Sequence, residues 1–141
     1  MTVSYNEAQR LVRDILSSND EILGVAVIDR RSGHILASES RAPFKERFEV
    51  DGLRGGDSNS NSSNSYGGTL AVATLSVVRE AKAAFGEPQA IITVHKNCKL
   101  MLLPVLSYDI LVVLVLERSA DADDDNLANK VERLVARTFE P

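Results

Sequence analysis

Apolar residues recur at Ala8, Leu11, Val12, Ile15 and Leu16, the i, i+3, i+4 rhythm of a helix with one buried stripe. Ser4 followed three residues later by Glu7 has the spacing of a capping box, so the pattern predicts a first helix that starts after Ser4 and ends near Ser18. The next stretch, EILGVAVIDRRSGHILASES, holds two apolar runs on either side of Asp29-Arg30-Arg31-Ser32-Gly33. Asp opens a turn by hydrogen bonding to its own backbone and Gly supplies a positive φ at the close, so a β-hairpin is expected here. From Arg41 to Gly68 the periodicity fails, and GGDSNSNSSNSYGG has nothing to bury. A flexible Ser/Asn/Gly-rich loop is expected over about 41–68, with Phe44, Phe48, Val50 and Leu53 available to pin its first half.

The run TLAVATLSVVREAKAAF, residues 69–85, reads as a helix, stopped by Gly86 and Pro88. Three short apolar segments follow, QAIITVH, KLMLLPV and DILVVLVLE, separated at Asn97 and at Ser107-Tyr108 by spacings that predict tight hairpins. Residues 110–116 are apolar at every position, which predicts a central strand covered on both faces. Pro104 cannot donate to a ladder, so its nitrogen is expected to face a sheet edge or an irregularity. Leu127, Val131, Leu134, Val135 and Thr138 mark one face of a last helix, with Asp123, Asp124 and Asp125 at its positive end and Arg133 and Arg137 near its negative end. The expected order is α-β-β-α-β-β-β-α in a single α+β domain over 1–141.

The helix over 69–85 is too apolar for one core. Wound at 100° per residue, Leu70, Ala73, Thr74, Val77, Ala81 and Ala84 form the stripe expected on its own sheet. A second, mostly apolar group follows beside it: Ala71, Leu75, Val78, Lys82 and Phe85. Together they span about 200°, where a helix with one buried face needs an arc of roughly 100°. Packing of the second group under the loop, against Phe44 and Phe48, is one account. The other is pairing with the same helix of a second chain, in which Ala71 permits close approach and Leu75 and Val78 supply the apolar contact. An edge strand from Gln89 to His95 would pair in the same step, bringing Ile91 and Thr93 into the interface. A homodimer is expected.

Charge and chemistry narrow the functional classes. Sixteen basic and twenty acidic residues give a net charge of −4, and no basic run is interleaved with aromatics, so nucleic-acid binding is not expected. Glu7, Arg10 and Arg13 fall where a secretory leader would need an unbroken apolar stretch, no segment approaches the ~20 apolar residues of a membrane span, and a cytoplasmic location is expected. The single cysteine, Cys98, excludes an internal disulfide. Gly55-Gly56 and Gly67-Gly68 lack the arrangement of a phosphate-gripping loop. His34 and His95 are the only histidines, and with one cysteine they do not make a metal site of Cys and His. The Asp123–Asp125 run lacks the alternating ligands of a calcium loop, and Cys98, although beside Lys99, has no base at readable spacing. No catalytic residue, metal or cofactor is expected, and the chain does not read as an enzyme.

The element order, the hairpin GVAVIDRRSGHILAS, the small-residue central helix and the phrase Leu102-Leu103-Pro104-Val105 running into a hydrophobic strand resemble the roadblock family related to dynein light chains. The likeness covers nearly the whole chain apart from residues 41–66. It implies a profilin-like fold in which a five-stranded antiparallel sheet is sandwiched by helices, the terminal helices on one side and the central helix on the other. It further implies dimers that pair through the central helix and the neighbouring strand into a continuous ten-stranded sheet, and a role as platforms for Ras-like small GTPases, some members altering nucleotide hydrolysis or exchange. On that reading the open arc of the central helix, with Val72, Ser76 and Arg79, contacts the GTPase. Two alternatives stay open: a small-molecule sensor of the profilin, PAS or GAF type, and a structural subunit that pairs with a different roadblock chain.

Overall fold

The computed structural model describes residues 3–41, 82–86, 89–118 and 124–139. The first of its elements is helix α1 (Tyr5–Ser18), and its start is fixed as the sequence predicts. The Glu7 N–H donates to Ser4 Oγ at 3.1 Å and the Ser4 N–H donates to Glu7 Oε1 at 3.1 Å, a reciprocal capping box. Strands β1 (Ile22–Asp29) and β2 (Ile35–Ser40) form the hairpin. In its turn Asp29 Oδ1 accepts from the Arg31 N–H, Asp29 Oδ2 accepts from the Ser32 hydroxyl, and Gly33 has φ 78°. Asp and Gly therefore act as their chemistry predicts.

A helical stretch over residues 82–85 precedes the second half of the sheet. Gly86 ends it with φ 85°, its N–H donating to the Lys82 carbonyl at 3.0 Å. Strands β3 (Ile91–Val94), β4 (Cys98–Val105) and β5 (Ile110–Glu117) follow, then helix α2 (Asp124–Phe139). The full order is α-β-β-α-β-β-β-α, a five-stranded antiparallel sheet with the spatial sequence β2-β1-β5-β4-β3. As its unbroken apolar run requires, β5 lies at the centre, buried from Ile110 to Leu116.

The sheet has a core on each face. On one, Val25, Val27, Met101, Leu103, Val112 and Leu114 meet Leu11, Val12 and Ile15 of α1 and Leu127, Val131 and Val135 of α2. The terminal helices thus share one side, and full burial of each such Leu, Ile or Val contributes roughly 1.5–3 kcal/mol. Thr138, on the same stripe of α2, is buried, and among the described residues its hydroxyl has no hydrogen-bond partner. On the opposite face Ala26, Ile28, Leu100, Leu102, Leu111, Val113 and Val115 form a second cluster. The central helix expected to cover that face lies, apart from its last turn, outside the described residues, as do Phe44, Phe48, Val50 and Leu53.

The connection between β4 and β5 differs from the tight turn expected at Ser107-Tyr108. It is a full 3₁₀ turn, Leu106–Tyr108, followed by Asp109 at φ 54°, a left-handed conformation that Asp tolerates better than most residues. The longer route lets the Tyr108 ring turn inward onto Phe139, with ring centroids 4.7 Å apart. Asp109 also accepts from Arg31 Nη2 at 2.7 Å and lies 3.9 Å from Arg30 Nη1, tying this turn to the first hairpin.

Hydrogen-bond phase can be counted along the last three strands. Antiparallel partners alternate between residues that exchange two backbone bonds and residues that exchange none. The His95 N–H donates to the Cys98 carbonyl at 2.8 Å, which makes these two an exchanging pair around Lys96-Asn97. Counting through the register Val94↔Lys99, Thr93↔Leu100, Ile92↔Met101 and Ile91↔Leu102, Leu100 and Leu102 turn their backbone groups toward β3. Pro104 shares their phase, but β3 has already ended opposite Leu102, so the N–H that proline lacks would have had no partner.

Candidate protein-docking surface

Strand β3 stands at one end of the sheet and, among the described residues, is hydrogen bonded on one side only, to β4. By the same count Thr93 directs its backbone N–H and C=O inward to Leu100, whereas Ile92 and Val94 direct theirs away from the sheet. Among the described residues this is a short row of unused donors and acceptors, the ordinary template for another strand. Its side chains are equally unfinished. Ile92 is 40% exposed and Val94 58% exposed on the terminal-helix face, while Ile91 and Thr93 are half-buried on the other face beside Leu102 and Leu100. Phe85, at the end of the 82–85 helical stretch, is 89% exposed. Leaving such a ring in water forgoes about 2 kcal/mol of burial.

Of the residues that the sequence marks for pairing, Ile91 and Thr93 lie on this edge strand. Ala71, Leu75 and Val78 lie outside the described residues, and so do the three marked for a GTPase, Val72, Ser76 and Arg79. Ile92 and Val94 were missed. Their signal was nevertheless present, because IITV is short and almost wholly apolar, so an edge strand with that sequence has no polar face to give to water.

Polar chemistry at this edge is modest. Thr93 Oγ1 and His95 Nε2 are 2.8 Å apart, and His95 is exposed just past the strand end. His34 is exposed beside the first hairpin turn. Cys98 begins β4 and packs partly buried against the second core cluster. Among the described residues no group of three or more His, Cys, Asp or Glu side chains is placed to hold a metal ion, and no helix is long and apolar enough to cross a membrane.

A second concave region lies at the far end of β1, where a cavity of about 290 Å³ is lined by Val3, Tyr5, Leu36, Tyr108 and Ile110 and rimmed by the Arg31–Asp109 ion pair. Nearby, the Ser4 backbone N–H, then the Ser4 side chain and the positive Arg10, hold the Glu7 carboxyl below its ordinary pKa of 4.5. These interactions serve the helix cap.

No protein-family model matches the sequence, and no curated protein matches it. Solved structures do. A roadblock/LC7 domain from Streptomyces avermitilis superposes with a TM-score of 0.62 at 12% identity, covering 93% of this chain and 95% of that one. The fold is the roadblock fold. The gliding protein MglB of Thermus thermophilus has a TM-score of 0.65 at 17% identity, over 96% of this chain and 90% of that chain. Myxococcus xanthus MglB gives 0.61 at 15% identity, over 96% and 86%. An MglB structure described as having a tetrameric arrangement gives 0.61 at 15% identity, over 96% and 92%. In this chain the terminal helices share one face and β3 lies at the margin of the sheet.

Proposed function

We propose that this chain is a non-catalytic, dimeric roadblock-type scaffold that binds a Ras-like small GTPase and alters its nucleotide hydrolysis or nucleotide state. One observation carries the reading: apolar side chains and outward backbone groups stand exposed together along β3, with Phe85 exposed at the end of the preceding helical stretch. Two copies joined there bury what a single copy leaves in water. In the dimer, Ala71, Leu75 and Val78 of the central helix meet their counterparts while Ile91 and Thr93 align across the joined strands. The two helices then present Val72, Ser76 and Arg79 side by side as the docking surface for the GTPase. The likeness in fold to MglB, a gliding protein of Thermus thermophilus, supports the scaffold part of the reading.

The test is direct. The purified chain is expected to scatter light as a dimer and to co-migrate in gel filtration with a small GTPase encoded beside it, in one nucleotide state more than the other. A monomer at high concentration, or no complex in either nucleotide state at micromolar concentrations, overturns the proposal. The sensor alternative retains one favourable feature, the 290 Å³ cavity, and predicts instead a small molecule copurifying with the monomeric or dimeric chain.

A further inference from the structure

We propose that the outer face of the two terminal helices docks on an anionic membrane surface, with Arg10 and Arg13 of α1 and Arg133 and Arg137 of α2 as the side chains that grip its headgroups. This goes beyond the scaffold reading and does not depend on it.

Two helices build the patch. Wound at 100° per residue, Arg10 and Arg13 fall roughly 150° to either side of the middle of the stripe Ala8, Leu11, Val12 and Ile15 that α1 buries. Measured from Leu127, Val131 and Val135, the buried stripe of α2, Arg133 falls at roughly 160° and Arg137 at roughly 120°. All four arginines are exposed. The Lys130 ammonium donates to the Ser18 carbonyl at the end of α1 at 3.3 Å, while Phe139 packs on Tyr108, which shares a cavity with Val3 and Tyr5 at the start of α1. The helices are therefore antiparallel, and Arg10 and Arg13 lie level with Arg133 and Arg137. With a rise of about 1.5 Å per residue and axes roughly 8–10 Å apart, the four make a patch on the order of 10 Å across.

Charge on this face is one-sided. Among the described residues none of the four forms an ion pair with a carboxylate, the two ion pairs being those of Arg30 and Arg31 with Asp109. Gln9 on one flank of α1 bonds Glu39 of β2, so Glu7 and Asp14 on the other flank turn toward α2, and both are half-buried. Arg10 is near enough to help lower the Glu7 pKa, but Glu7 Oε1 is taken by the Ser4 N–H. Lys130 marks the flank of α2 nearer α1, and Glu132 lies on the other. The net charge of −4 does not cancel the patch, because charges more than about 8 Å away are largely screened at physiological ionic strength.

The occupant follows from what the face lacks. A protein partner is anchored by buried aromatic and aliphatic side chains, yet the other exposed residues on these outer arcs are Asn6, Ser17, Asn126, Asn129 and Ala136. The large apolar side chains exposed among the described residues, Tyr5, Phe85, Ile92 and Val94, lie off the outer arcs. A polar, arginine-bearing layer fits instead a plane of phosphate and carboxylate headgroups, which guanidinium forks grip in pairs of hydrogen bonds and which needs no groove. At about five-fold per basic residue near an anionic surface, four arginines give a preference of roughly 10³-fold over a neutral one.

Vesicle co-sedimentation of the full chain tests this. The chain is expected to pellet with phosphatidylcholine vesicles that carry about 30% phosphatidylserine, to stay in solution with phosphatidylcholine alone, and to be released as salt rises from about 50 to 500 mM. Arg10→Gln with Arg133→Gln is expected to weaken binding roughly 25-fold at an unchanged urea midpoint. Lys96→Gln with Arg118→Gln removes the same charge from exposed residues off this face and is expected to change binding less than about two-fold. Equal losses in the two double variants reduce the effect to net charge and overturn the patch. Equal binding to neutral vesicles overturns its electrostatic basis. No binding to anionic vesicles at about 50 mM salt overturns the membrane reading, and retention on immobilised polyglutamate in its place assigns the arginines to an acidic polypeptide.

Discussion

The two outer strands of the sheet are finished in opposite ways. β2 ends in Ser38-Glu39-Ser40, its Glu39 carboxylate accepts from Gln9 of α1 at 3.1 Å, and each of its side chains is at least half-buried. Arg41, directly after it, sends its guanidinium back to the carbonyls of Leu16, Asn19 and Ile22, closing the end of α1 and the start of β1 at once. β3 is four residues long, carries no charge, and alternates between half-buried and exposed. Charged and polar groups on an edge discourage further pairing, and an apolar edge invites it. Among the described residues, then, the same sheet carries a polar, tied-down edge at β2 and an apolar edge without a further strand at β3. The difference is what the proposed dimer rests on, apart from any relative.

The sharpest way to break this contrast is to finish β3 as β2 is finished. Ile92→Lys with Val94→Lys places like charges on both sides of the proposed contact, and is expected to weaken the dimer at least about 100-fold, since each tenfold is 1.4 kcal/mol. Analytical ultracentrifugation measures the change, and unchanged far-ultraviolet circular dichroism shows that the monomer still folds. An undiminished dimer would place the interface elsewhere.

A smaller effect is expected at the other edge. Arg41→Ala removes donors from three carbonyls near the end of α1 and should cost about 1–3 kcal/mol in urea unfolding while leaving the dimer constant unchanged. Loss of dimer in this variant would mean that the two edges are coupled.

The smallest effect is at the start of α1, remote from β3. Ser4→Ala removes half of the capping box and is expected to cost about 1 kcal/mol. Because the folded-state pKa of Glu7 is lowered, its contribution is complete above the ordinary value of 4.5 and is lost as pH falls through the lowered one. The gap between the parent and Glu7→Gln should therefore close on acidification, a trend that urea midpoints between about pH 3 and 6 would show. A gap independent of pH would remove Glu7 from the cap.

How much was legible follows the range of the interactions. The capped start of α1, the Asp29–Gly33 turn, the central place of β5, the Gly86 stop and the buried stripe of α2 are each written within a few residues, and each stands as the pattern predicts. The turn before β5 was misjudged because Tyr108 answers to Phe139, thirty-one positions away, rather than to its neighbours. Ile91 and Thr93 were placed on the correct strand, yet Ile92 and Val94 escaped notice because a run of apolar residues does not say which face a helix leaves bare.

The order of elements, their caps and their buried faces were determined by the sequence alone, through local hydrogen bonding and the periods of strand and helix. Only the tertiary structure decided that Arg41 would serve α1, that Asp109 would reach Arg31, and that Ile92 and Val94 would stay exposed with their backbone groups turned away from β4. Those outcomes depend on which strands are neighbours and on the phase of each ladder, quantities set by the packing of the whole chain and absent from any short window of it.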